Sequence, residues 1–182
     1  MNDRENRIGY QQYVDWMGAA VLSLADIWPE STRAMIVGLN PAPASVEAGH
    51  YYQGRTGQRQ LRRLAAAGLF TLSDSSAHFE APAAEAGVGF TDIVKRPTHG
   101  ESDVSRAELE HGKFLLENQL AERNVRLIIS VFRHPVEALL GAGGAPGLQE
   151  ARTRWGAQVF RMPGPFEQRE KADAVMATLP IR

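Results

Sequence analysis

The sequence predicts a three-layer α/β/α domain on a central, mainly parallel four-stranded sheet. Three observations carry that expectation: short apolar runs that stop at polar or Gly/Pro clusters, helical patterns between those runs, and a length of 182 residues, within the range of one domain. Ala34 to Leu39 is a continuous apolar run halted by Asn40-Pro41, the signature of a strand buried on both faces. Val88 to Val94, Arg126 to Phe132 and Val159 to Met162 are further candidates, the last closed by Pro163-Gly164-Pro165. Helical patterns cover Tyr10 to Ala25, Gln58 to Ala67, Ser105 to Ala121 and Glu167 to Thr178. The third opens with Ser105 and Glu108, a capping box, and carries an apolar stripe of Leu109, Phe114, Leu115, Leu116 and Leu120. Residues 74–87 and 141–147, rich in Ala, Ser, Pro and Gly, read as loops. Strands alternating with helices imply parallel crossovers, and no internal repeat or second domain breaks residues 1–182.

Composition narrows the function classes. Hydrophobic residues make up 43% and charged residues 23%, the balance of a globular chain rather than a disordered one. No apolar run approaches the roughly 18 residues of a membrane span, and the polar start Met1 to Arg7 lacks a signal-peptide pattern, so a cytoplasmic protein, nucleoid-associated if bacterial, and a monomer is expected. With no cysteine, disulfides, thiolate metal sites, iron–sulfur clusters and cysteine nucleophiles are excluded. The five histidines show no metal-ligand spacing, and neither metal nor organic cofactor is expected. A net charge of −1 means that any nucleic-acid footprint is local. Arg55, Arg59, Arg62 and Arg63 form one basic cluster and Lys95-Arg96 another, although arginine is also an ordinary residue of solvated helix faces.

Open α/β sheets gather ligands beyond the carboxyl ends of their strands. That rule selects residues 40–52, 92–98, 132–135 and 162–166. Within them stand Gly38-Leu39-Asn40-Pro41, followed by Ser45, Gly49 and Tyr52, and the stretch Gly89-Phe90-Thr91-Asp92-Ile93-Val94-Lys95-Arg96-Pro97-Thr98 with Val104 to Leu109 behind it. These segments resemble the uracil-DNA glycosylase superfamily, most closely its mismatch-specific uracil/thymine-DNA glycosylase branch, in its G-x-N-P and G-x-T-x-[LM]-V-x-R-x-T motifs. The likeness spans roughly residues 34 to 132. It implies a uracil-DNA glycosylase-like fold, an asparagine that handles the attacking water at Asn40, and an aromatic stacked on the extruded base at Tyr52, or at Tyr51 if the register differs by one.

The chemistry adds roles that the resemblance does not assign. An amide is a poor base, so Asn40 positions water more than it deprotonates it. Asp92 is the better base, since a carboxylate of unperturbed pKa about 3.9 is ionised at neutral pH, and its charge favours an oxocarbenium-like sugar. Backbone N–H groups near Ala42 are candidate donors to a base carbonyl, Pro43 having none. Phe166 is a candidate wedge between base steps, and Arg55, Arg59, Lys95 and Arg96 are candidate phosphate contacts. His50 and His134 read as structural or simply exposed residues.

One element departs from the family pattern. Relatives close the site with a motif like N-P-S-G or H-P-S-P, whereas this chain has Met162-Pro163-Gly164-Pro165-Phe166, leaving Gly164 where a base-contacting side chain is usual. The expected activity is that of a monofunctional DNA glycosylase releasing uracil or a related deaminated or mismatched base to leave an abasic site, as in base excision repair. Two alternatives stay open: a non-catalytic module that binds damaged DNA, and a hydrolase of free nucleosides or nucleotides.

Overall fold

The computed structural model describes residues 6–181; Met1 to Glu5 of the polar start, and Arg182, lie outside it. Five strands form the central sheet in the order β4-β3-β5-β7-β6. These are β3 (Ala34–Gly38), β4 (Val88–Asp92), β5 (Leu127–Ser130), β6 (Gly147–Leu148) and β7 (Gln158–Arg161). All pairings are parallel except that of β6, which lies antiparallel to β7. The four expected strands are present, and the fifth, two-residue β6 begins at the last residue of the stretch read as a loop.

The sheet divides the core into two layers because successive side chains of a strand face opposite ways. Ile36, Phe90, Ile129 and Phe160 point to one side. They pack against α2 (Arg55–Ala66) through Leu61 and Leu64 and against α3 (Glu80–Glu85) through Ala83. Met35, Val37, Ile128 and Val159 point to the other. There α4 (Arg106–Glu122) supplies Leu116 and Leu120, and α5 (Arg133–Leu140) supplies Val136 and Leu139. This is the three-layer α/β/α architecture. Two more helices, α1 (Pro43–Ala48) and α6 (Arg169–Met176), complete it.

The helix expected over Tyr10 to Ala25 is instead a hairpin of β1 (Gln11–Trp16) and β2 (Ala19–Leu24). Its turn is the reason: Met17 and Gly18 both take positive φ, 53° and 83°, the backbone that a two-residue hairpin loop requires. Asp15 supports it by accepting from the Gly18 N–H at 2.9 Å. Tyr13, Val14, Trp16 and Val21 are β-favouring residues, and the packing of Trp16 and Val21 against the core overrides a weak helical period. Beyond the hairpin, Ile27 bridges antiparallel to Phe90, so the edge of β4 is covered rather than open. The other departures are α1, α3 and α5, which lie outside the expected helical stretches, α3 inside one that reads as loop.

The capping box at α4 forms as the sequence predicts, and Glu108 does more than cap. Its carboxylate accepts from Arg96 at 2.7 and 2.8 Å, from the Ser105 backbone and hydroxyl at 3.0 Å, and from the Trp16 indole at 3.2 Å. The Arg96 guanidinium is the main reason its pKa falls to about 2. At Gly112 α4 meets the sheet, where a β-carbon would run into the backbone carbonyl of Ile93. Among the described residues, no helix is long and apolar enough to cross a membrane.

Two outcomes follow. Gly112→Ala should lower stability by roughly 1–3 kcal/mol in urea unfolding, overpacking outweighing the better helix propensity. Glu108 has a depressed folded pKa, so its contribution is present above its ordinary 4.5 and lost as pH falls towards about 2. Glu108→Gln should therefore flatten the acid limb of melting temperature against pH across that window.

Candidate active site

Strand register builds the centre of the site. Gly38 at the end of β3 pairs with Asp92 at the end of β4, so the two motifs, distant in sequence, meet side by side. Past them the chains stay coupled: the Ile93 N–H donates to the Gly38 carbonyl at 3.1 Å, and the Val94 N–H to Leu39 at 2.8 Å. A cavity of about 430 Å³ opens at this edge, lined by Gly38, Asn40, Ala42, Tyr52, Asp92 and Thr98 among others. Its size is that of a small-molecule site.

Asn40 is held by its amide nitrogen, which donates to the Arg96 carbonyl at 2.9 Å and to the Thr98 hydroxyl oxygen at 2.8 Å. Thr98 in turn donates to the Gly100 carbonyl at 2.8 Å, so its oxygen must accept from Asn40. This network assigns the two ends of the amide and leaves the Asn40 oxygen with no protein partner among the described residues. A fixed amide with a free acceptor can orient a water.

Asp92 corrects the expectation of an ordinary ionised carboxylate. Only 5% of the residue is exposed. Burial raises its pKa from 3.8 to about 7, the nearby Lys95 ammonium lowering it and Asp26 raising it further. Desolvation wins because Lys95 is committed elsewhere: its ammonium contacts Asp26 at 2.6 Å, the Asp92 carbonyl at 2.8 Å and the Thr91 hydroxyl at 3.0 Å. Thr91 also donates to Asp26 at 2.8 Å. The arrangement suits a group that takes a proton near neutrality.

The two tyrosines separate. Tyr51 is a core residue, 2% exposed, with its hydroxyl donating to the Ala25 carbonyl at 3.1 Å and its ring 5.2 Å from that of Phe90. It also lines the cavity. Tyr52 is partly exposed and takes φ 57°. The loop before it is pinned by Glu80, buried at 1% exposure, which accepts from the Tyr51 N–H at 2.6 Å. Ser45 accepts from the Gln53 N–H at 3.1 Å. Ala42 is the N-cap of α1, its carbonyl accepting from Ser45 and Val46.

The other predicted residues lie outside the cavity. Lys95 and Arg96, expected as phosphate contacts, are ion-paired with Asp26 and Glu108. Gly164 is exposed and does not line the cavity. Its carbonyl accepts from Arg63 at 2.8 Å while that of Pro163 accepts from Gln60 at 2.8 Å, so the altered motif is fastened to α2. Phe166 is 80% exposed, with the Arg59 guanidinium 5.9 Å from its ring centre. Arg55 and Arg59 border a shallow hollow with Arg62, Arg63 and Arg169.

Residues that sequence reasoning left without a role also converge. His134 lines the cavity and meets Glu101 at 3.3 Å; Phe132, His99 and Thr98 stand beside it. His50 instead stacks on His78, ring centres 3.4 Å apart, away from the cavity. Among the described residues, no group of three His, Asp or Glu side chains is arranged to hold a metal.

The raised pKa of Asp92 has a thermodynamic sign. The unfolded chain ionises from 3.8 upward while the folded one holds its proton to about 7, so stability is lost across that interval as pH rises. Asp92→Asn should melt higher than the wild type at pH 8, and the two melting temperatures should converge towards pH 4.

A family model for the Uracil DNA glycosylase superfamily matches residues 25–178, which includes every strand of the central sheet and both motifs that meet at the cavity. Members of this superfamily are typically hydrolytic DNA glycosylases acting on uracil-like bases. The match covers more than half of the chain, and the chain belongs to the Uracil DNA glycosylase superfamily.

Proposed function

We propose that this protein is a monofunctional glycosylase of the mismatch-specific type, hydrolysing the N-glycosidic bond of uracil or a related deaminated base extruded from DNA. The observation that carries the reading is the pairing of Asn40, its amide oxygen free, with the buried Asp92 in one cavity. Water held by the Asn40 oxygen attacks C1′ of the sugar, and the C1′–N bond breaks with its electron pair leaving on the base. The water's proton passes to the Asp92 carboxylate, the base leaves as its anion and takes up a proton from solvent, and Asp92 returns its proton to solvent, so that the products are an abasic site and the free base. The anion of Asp92 also favours the positive charge that develops on the sugar. The ring of Tyr52 lines the cavity as a stacking platform, which is worth about 1–3 kcal/mol and tolerates several bases.

A lyase step through an imine needs a free amine. Lys95 is ion-paired to Asp26, which supports a purely hydrolytic reaction. The DNA-facing side is read on α2, where Arg55 and Arg59 are exposed and Arg59 lies beside Phe166. With Gly164 offering no side chain at the second motif, extrusion should be easiest for bases that are mispaired or already single-stranded.

A panel of oligonucleotides carrying uracil, thymine opposite guanine, hypoxanthine or xanthine, in single and double strands, tests this through alkali-labile sites. Uracil should be released, and Asn40→Ala and Asp92→Asn should each slow single-turnover release by roughly 10²–10⁴-fold. The rate should rise with pH through about 7 as Asp92 loses its proton. Absence of any release, with DNA binding retained, would sink the enzymatic reading. Arg59→Ala should weaken binding across all sequences and reduce the salt slope by about 1.

A further inference from the structure

Two residues lining the cavity carry a buried polar atom without a partner among the described residues, Tyr52 at its hydroxyl and His134 at Nδ1, and the hydroxyl is the one that faces Asp92. The Tyr52 hydroxyl oxygen is buried and has no hydrogen-bond partner among the described residues, a condition that costs free energy unless a partner is supplied at some stage. Three features bring it there. Tyr52 adopts a left-handed backbone, φ 57°, which a bulky residue takes only when its surroundings enforce it. Gly57 of α2 lets the ring lie close, since a β-carbon there would stand 2.8 Å from the Tyr52 β-carbon. Gly38 leaves a gap at the strand end: a β-carbon on it would stand 2.9 Å from the Tyr52 hydroxyl oxygen and would overlap the Asp92 carboxylate. The hydroxyl and the carboxylate thus face the same gap, and the described hydrogen bonds include none to either group.

We propose that Tyr52 is the positioning residue of Asp92, its hydroxyl donating to the Asp92 carboxylate across the gap that Gly38 leaves open. An aromatic ring without the hydroxyl could stack on a base equally well, so stacking does not account for a tyrosine here. Donation to the anion favours the charged form. It also fixes which way the carboxylate faces when it takes the water's proton. The other groups that bear on Asp92 are Lys95 and Asp26 behind the strand and Tyr51 in the core, with His99, Glu101 and His134 across the cavity. Lys95 and Asp26 are bound to each other, and the Tyr51 hydroxyl is committed to Ala25.

The inference rests on the reading of Asp92 as the proton acceptor, and the test separates the two. Asp92 is titrated by carboxyl ¹³C NMR in the wild type and in Tyr52→Phe, its signal assigned with Asp92→Asn. Single-turnover release of uracil from an oligonucleotide is followed against pH in the same proteins. Tyr52→Phe should raise the Asp92 midpoint by about one pH unit in both measurements. Its rate should be about tenfold lower on the acid side and near wild type above the midpoint, with KM unchanged because the ring is kept. Its melting temperature should fall relative to wild type only where Asp92 is ionised, whereas loss of an idle hydroxyl leaves stability equal or higher at every pH. An unchanged or lowered midpoint in Tyr52→Phe overturns the pairing. If the wild type releases no base, or Asp92→Asn releases it equally fast, the functional reading fails and the NMR titration alone decides the Tyr52–Asp92 contact.

Discussion

Parallel pairing of β3 with β4, with Gly38 opposite Asp92, is the constraint on which the rest of the site depends. A strand end buried on both faces carries a carboxylate out of water, and the neighbouring strand makes room for it by presenting a residue without a side chain. Shifting the register by one residue would turn Asp92 to the opposite face of the sheet. The backbone bonds from Ile93 and Val94 to Gly38 and Leu39 extend the coupling into the loops. On the far side, Gly112 allows α4 to press against Ile93. The position of one carboxylate is therefore determined by β3, β4 and α4 together.

Charge is distributed to serve that arrangement. Two cations beside the motif, Lys95 and Arg96, are drawn inward and paired with Asp26 and Glu108, where they tie the hairpin, the strand end and the α4 cap together. Partial burial makes such pairs matter more than exposed ones, because removing either partner leaves a charge out of water and unpaired. The exposed arginines lie on α2, which also anchors the altered motif through Gln60 and Arg63. A chain of net charge −1 can still present a local basic face, because Arg55, Arg59, Arg62 and Arg63 are grouped on one helix. The same helix carries the basic face and, through Gly57, supports Tyr52.

The site is also where the fold sacrifices stability. A buried carboxylate with a pKa near 7 and a tyrosine in a left-handed conformation are both unfavourable in isolation. They persist because the packed core on either side of the sheet over-determines the backbone that carries them. Pre-organisation of this kind is what the proposed hydrolysis requires, since the water and its acceptor must be in place when the base leaves.

The fold class was legible in the sequence because its evidence is local. The run from Ala34 to Leu39 halted by Asn-Pro, the Ser105–Glu108 cap and the motif around Thr91 each signal within a few residues. The hairpin at Met17-Gly18 reads as helix from sequence, because its decisive feature is a pair of positive φ angles at a turn without the usual Asn-Gly or Asp-Gly pair. Asn40, Asp92 and Tyr52 could be named from sequence because they stand in or beside recognisable motifs. Only tertiary structure decided what each is free to do, since desolvation and pairing depend on residues far along the chain: Asp26 claims Lys95, Glu108 holds Arg96, and Ala25 takes the Tyr51 hydroxyl. The sequence by itself determined which residues meet at the strand ends; the folded environment determined their protonation, their partners and the one hydroxyl left unpaired beside Asp92.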